Sequence, residues 1–163
     1  MPEIIPLGWF HTFNGVVALV TAIMMLVQFK EISSRPPIGM IYTVTTLITA
    51  ATALMIYQHG VFSVAHVMGV AALIALAGAL VADRTKVFGS WSRPIRAVGF
   101  SATVLFHCLP AVTDALLRLP PSDPMLTSIE DPIMKGAHLT LMVLFLVGVT
   151  LQLIWIKRNP ARV

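Results

Sequence analysis

The sequence predicts an all-α integral membrane bundle of five transmembrane helices in a single domain, and three observations predict it. Of 163 residues, 57% are hydrophobic and only 11% are charged, against about a quarter charged in ordinary soluble domains. The apolar residues come in stretches of about twenty, each able at about 1.5 Å per residue to cross a hydrocarbon core of about 30 Å. Basic residues collect in alternate links between those stretches, the bias of a positive-inside topology.

The first span covers about residues 8–28. Met1 to Leu7 carries Glu3, has no basic region, and is followed by no clear small-residue cleavage site, so the span is expected to be retained. The link from Phe29 to Pro37 holds Lys30 and Arg35 and closes on Pro36-Pro37, which stops one helix and starts the next. Spans over about 38–57 and 61–82 are joined by the short link Gln58 to Gly60, which makes them antiparallel neighbours. The next link is the most basic, with Arg84, Lys86, Arg93 and Arg96 around Trp91, an interfacial anchor. A fourth span over about 95–117 leads into a long loop, 118–132, that is rich in proline and contains Asp123, Glu130 and Asp131. The fifth span covers about 133–156, and a basic tail follows.

If that tail is cytoplasmic, five spans put the N-terminus outside, and nine of the eleven Lys and Arg residues fall inside. Only Arg118 and Lys135 lie outside. The net charge of +4 is then a topology signal, and no nucleic-acid partner is expected. Cys108 is the one cysteine, which excludes an intrachain disulfide and a cysteine-based zinc motif. The lack of an internal repeat and the odd number of spans disfavour a transporter built from inverted halves.

In this orientation all five histidines fall in the outer half of the bilayer, where an ionisable side chain is a functional candidate by default. His59 is a link residue. His11 lies about one turn below the surface, His66 and His138 share a depth of roughly 8 Å at about 1.5 Å per residue, and His107 is deeper. In the fourth span Thr103, His107, Pro110 and Asp114 share a face, and Pro110 deprives the Phe106 carbonyl of its usual donor, so a bend beside His107 is expected. His11, Asn14 and Ala18 align in the first span; Tyr42, Thr45, Thr46, Thr49 and Tyr57 form a hydroxyl stripe in the second; Ser63, His66 and Gly69 align in the third; and Met134, His138, Phe145 and Gln152 align in the fifth. The threonines also admit a plainer role, bonding to the carbonyl one turn back and packing helices.

Three chemistries stay open. Two imidazoles at one depth supply axial ligands for haem b, with His66 and His138 the preferred pair and His11 with His107 the second. No Cys-x-x-Cys-His occurs, so the attachment is not covalent. A divalent non-haem metal would use His66, His107, His138 and Asp114. A metal-free site would pass protons through His107 and Asp114, toward a quinol or a lipid head group.

The segments RPPIGMIYTVTTLITAATALMIYQHG, FSVAHVMGV and FSATVLFHCLPAVTDALLRLP resemble small uncharacterised bacterial polytopic membrane proteins, some of which open helices on an H-R-x-x-G-like turn. Here that turn is Arg35-Pro36-Pro37-Ile38-Gly39, without the histidine. The resemblance implies a bacterial inner membrane location. The layout is also similar to that of small membrane b-type cytochromes, which adds to the haem expectation. The leading expectation is electron transfer through haem b, with a quinol or a membrane or periplasmic redox partner. A metal-handling protein and an accessory subunit of a larger complex, or a homo-oligomer, are the alternatives.

Overall fold

The computed structural model describes residues 5–56 and 63–160. The described chain is helical: α1 (Pro6–Phe29), α2 (Pro37–Ala53), α3 (Val64–Arg84), a 3₁₀ turn over Gly89–Trp91, α4 (Ser92–Arg118) and α5 (Pro132–Arg158). Proline opens α1, α2 and α5 at the first turn, where a missing N–H costs nothing. Asp131 adds a side-chain cap by accepting from the Ile133 N–H at 2.8 Å. α3 opens with a capping box, in which the Ser63 side chain accepts from the backbone of His66 and the His66 ring accepts from the backbone of Ser63.

α1, α3, α4 and α5 are each long and apolar enough to cross a membrane. Leu, Ile, Val and Phe side chains such as Phe13, Val27, Ile74 and Leu139 are exposed over the outside of the bundle, as in a membrane protein. α2 is a correction to the expected span over 38–57: the helix has 17 residues and ends at Ala53. Its last turn tightens into i→i+3 bonds, from Leu54 N–H to Ala51, Met55 N–H to Thr52 and Ile56 N–H to Ala53. Tyr57 and His59 lie outside the described residues.

α1 packs on α2 and α3 on α4; α4 also carries α5, and α2 joins the two pairs through α3. The central core is Ala18, Ala22 and Met25 of α1, Tyr42 of α2, Leu76 and Ala79 of α3 and Phe100 of α4. Small residues set the closest approach. A Cβ on Gly99 would lie 2.9 Å from the Ala79 Cβ, so only glycine lets α3 and α4 meet there. α4 is continuous through Pro110, and the loop after it folds back on the helix end, with the Leu126 N–H donating to the Leu116 carbonyl at 2.9 Å.

The antiparallel packing gives the bundle two polar ends. At one, Glu31, Ser33, Ser34, Asp83, Arg93 and Arg96 interlock. The Asp83 carboxylate, 0% exposed, accepts from the Ser34 N–H at 2.7 Å, the Ser34 hydroxyl at 2.7 Å and Arg96 Nη1 at 3.0 Å. Glu31 accepts from Arg93 Nη2 at 2.7 Å and Arg96 Nη2 at 2.6 Å. Arg35 donates to the Asp83 main-chain carbonyl. Gly39 completes this end, because a Cβ there would fall 1.8 Å from the Ser33 carbonyl oxygen. The Arg-Pro-Pro-Ile-Gly turn is thus a joint between two helices. His11, His66, His107 and His138 lie toward the opposite end.

Candidate functional site

His11 of α1 and His107 of α4 both make contacts with α2, at Thr52 and Thr46. His11 is half-buried on α1, and its Nδ1 is 3.0 Å from the Thr52 Oγ1. The Thr52 hydroxyl proton is already directed to the Ile48 carbonyl at 2.8 Å. His11 Nδ1–H is therefore the donor, and the neutral ring presents Nε2 as its basic nitrogen.

His107 is buried on α4, with its Nε2 sharing a 3.2 Å hydrogen bond with the Thr46 hydroxyl. Its other nitrogen faces α1 at Gly15, where a Cβ would come within 4.0 Å of Nδ1 and 3.6 Å of Thr49 Cγ2. The missing side chain at Gly15 lets the imidazole enter between α1 and α2. Gly15 is one turn from His11 on α1, so the two imidazoles approach the same stretch of that helix. Asp114 itself is exposed and accepts from Arg118 Nε at 3.2 Å.

Below the histidines the polar column continues for one step and stops. Tyr42 and Thr103, both 0% exposed, are joined through their hydroxyls at 2.5 Å. Thr103 Oγ1 donates to the Phe100 carbonyl at 2.7 Å, so Tyr42 is the donor between the two. Tyr42 packs with Ala18, Ala22, Met25 and Phe100 in the central core.

The remaining expected ligands take other roles. His66 is a helix cap: Ser63 N–H donates to its Nδ1 at 3.1 Å. A ring that accepts on Nδ1 carries its neutral-state proton on Nε2. His138 donates from Nε2 to the Thr113 Oγ1 at 2.8 Å, since the Thr113 hydroxyl proton goes to the Leu109 carbonyl at 2.9 Å. Only its more crowded Nδ1 remains. The level pair His66 and His138 is thus bound into separate local contacts. Among the described residues no group of three or more His, Cys, Asp or Glu side chains is placed to hold a metal, so His66, His107, His138 and Asp114 do not form one centre.

The hydroxyl stripe divides: Thr46 serves His107, whereas Thr45 and Thr49 bond back to the Ile41 and Thr45 carbonyls. Compared with known proteins, the chain matches no family model, no curated protein and no solved structure.

Sequence reasoning missed the ion cluster at the other end. The signal was available, because Glu31 and Asp83 are the two acidic residues among the links that carry six basic ones, and each follows or ends a helix where the dipole favours a cation. An acid in that place needs a cationic partner.

Proposed function

We propose that the chain is a five-pass protein of the bacterial inner membrane, N-terminus outside, that takes up and releases protons at the outer face for a quinol or a redox partner protein. The observation that carries this reading is the approach of buried His107 to Gly15, one turn from His11 on α1, with the Tyr42–Thr103 hydroxyl pair buried further along the bundle. Asp114 and Arg118 meet water, His11 offers Nε2 as the next acceptor, and buried His107 is the inner station. The positive-inside bias supports the orientation. α2, with 17 residues, lies at the lower limit of about 17–25 for a crossing helix.

A second reading, an accessory subunit of a larger complex, is favoured by α5, of whose apolar stretch only 6% is buried. The two are compatible, since a proton site of this kind would act on a neighbour. The test is proton uptake by the protein in sealed vesicles after a pH drop on one side. Uptake from the outer side that falls in His11→Gln and in His107→Gln supports the reading; equal uptake by the wild type and both variants overturns it. A Soret band in the purified protein that disappears in His11→Ala or His107→Ala would replace it with haem chemistry.

A further inference from the structure

A cleft of about 580 Å³ opens sideways between α4, α5 and the end of α1. Its size is within the range of about 300–1,000 Å³ usual for ligand pockets. The walls are Val104 and Leu105 of α4 with Leu141, Leu144 and Phe145 of α5. Leu141 to Trp155 spans fourteen residues of α5, about 21 Å at about 1.5 Å per residue, which exceeds the roughly 15 Å of one leaflet's hydrocarbon. The cleft is a slot for a chain.

One end of the slot is polar and basic. Lys30, Gln152 and Trp155 line it; the Ser101 hydroxyl donates to Gln152 Oε1 at 2.7 Å, and Gln152 Nε2 donates to the Lys30 carbonyl at 3.0 Å. Arg93, stacked 5.1 Å from the Trp155 ring, is neutralised by Glu31. Lys30 forms no ion pair among the described residues, and its ammonium uses one donor on the Val27 carbonyl at 3.0 Å, which leaves two for a ligand. It also stands at φ 65°, a left-handed position where glycine is the usual helix-ending residue. A lysine held there places a cation at the mouth of an apolar slot.

We propose that this cleft is a binding site for one anionic phospholipid, with an acyl chain along α4 and α5 and the phosphate on Lys30. Charge complementarity selects the occupant: the two links at this end carry six basic residues and two acidic ones, and the acids are consumed by Arg93 and Arg96. A neutral quinone would gain nothing from that surplus. The site is separate from the histidine column and does not depend on its function.

The test uses quenching of Trp155 by brominated lipid in vesicles, with Trp9→Phe and Trp91→Phe so that Trp155 alone emits. Brominated phosphatidylglycerol, diluted into phosphatidylcholine, is expected to occupy the site about five-fold more than an equal fraction of brominated phosphatidylcholine, the effect of about one basic residue at a membrane surface. Lys30→Gln should abolish that preference. Gly148→Leu should remove quenching by both, and it is tolerated by the fold because a Cβ at Gly148 meets nothing within 4 Å. Equal occupancy by the two lipids, a preference that survives Lys30→Gln, or retention of a quinone that phosphatidylglycerol does not displace would each overturn the proposal.

Discussion

Replacing Asp83 by alanine should destabilise the bundle more than any change at its charged surface. The carboxylate is 0% exposed and accepts from the Ser34 N–H, the Ser34 hydroxyl and Arg96, with Ser33 Oγ at 3.1 Å from each oxygen. Its removal strands the Ser34 amide and leaves Arg96 to Glu31 alone. Breaking a buried ion pair by deleting one partner costs about 3–5 kcal/mol. Hydrogen bonds to a charged group are worth about 1.5–3 kcal/mol each, so Ser34 and Arg96 together account for a loss of that size. Unfolding of the purified protein in mixed micelles, followed by far-ultraviolet circular dichroism, gives the difference. Arg96→Ala and the double variant complete a cycle whose coupling should be well above the value for an exposed pair. A loss for Asp83→Ala below about 1 kcal/mol, the level of a surface salt bridge, would refute the reasoning.

Other outcomes follow from single contacts. Gly39→Ala puts a Cβ 1.8 Å from the Ser33 carbonyl, a backbone clash that cannot be relieved by a side chain, and should abolish recovery of monodisperse protein in gel filtration; Gly136→Ala, with nothing within 4 Å, should behave as the wild type. In the loop between α4 and α5, the hydrogen bond and charge of Lys135 hold the Glu130 carboxyl below its ordinary value of 4.5. A carboxyl depressed in this way contributes stability that is present above its unfolded value and is lost as pH falls through its folded one. Lys135→Ala should therefore move the Glu130 titration up toward 4.5, measured by carbon-detected NMR, with little effect on stability because the pair is exposed. On a Cys108→Ala background, Ser122→Cys should react with an impermeant thiol reagent from outside and Lys86→Cys only from within; the reverse pattern would invert the assigned topology.

Much of the architecture was legible because hydropathy and proline report on a helix by itself. α1, α4 and α5 begin and end within three residues of the expected spans, and three of the five helices start on the prolines that mark them. The end of α2 was not, since its final turn tightens through contacts between local carbonyls that carry no apolar signal. Depth and phase put each histidine at a height and on a face of its own helix. They do not give the rotation of one helix about another, so His66 and His138 matched in depth while their rings were taken up by Ser63 and Thr113. The His11 and His107 pair, which differed in depth, is brought together because Gly15 leaves room for the imidazole. The ion cluster stayed hidden for a different reason: basic residues in short links read as a topology signal, and that reading does not ask which of them are buried against an acid.

The central claim is that His11 and His107 form one proton-handling unit with Asp114 at the outer end of the bundle. Histidine-selective nitrogen NMR of the protein in lipid nanodiscs, titrated from about pH 5 to 8 where imidazoles change charge, tests it most directly. The account predicts that the His11 signal titrates, that the His107 signal follows it, and that Asp114→Asn changes the His11 titration. His11 and His107 signals that respond independently, or a His11 titration unchanged by Asp114→Asn, would contradict it.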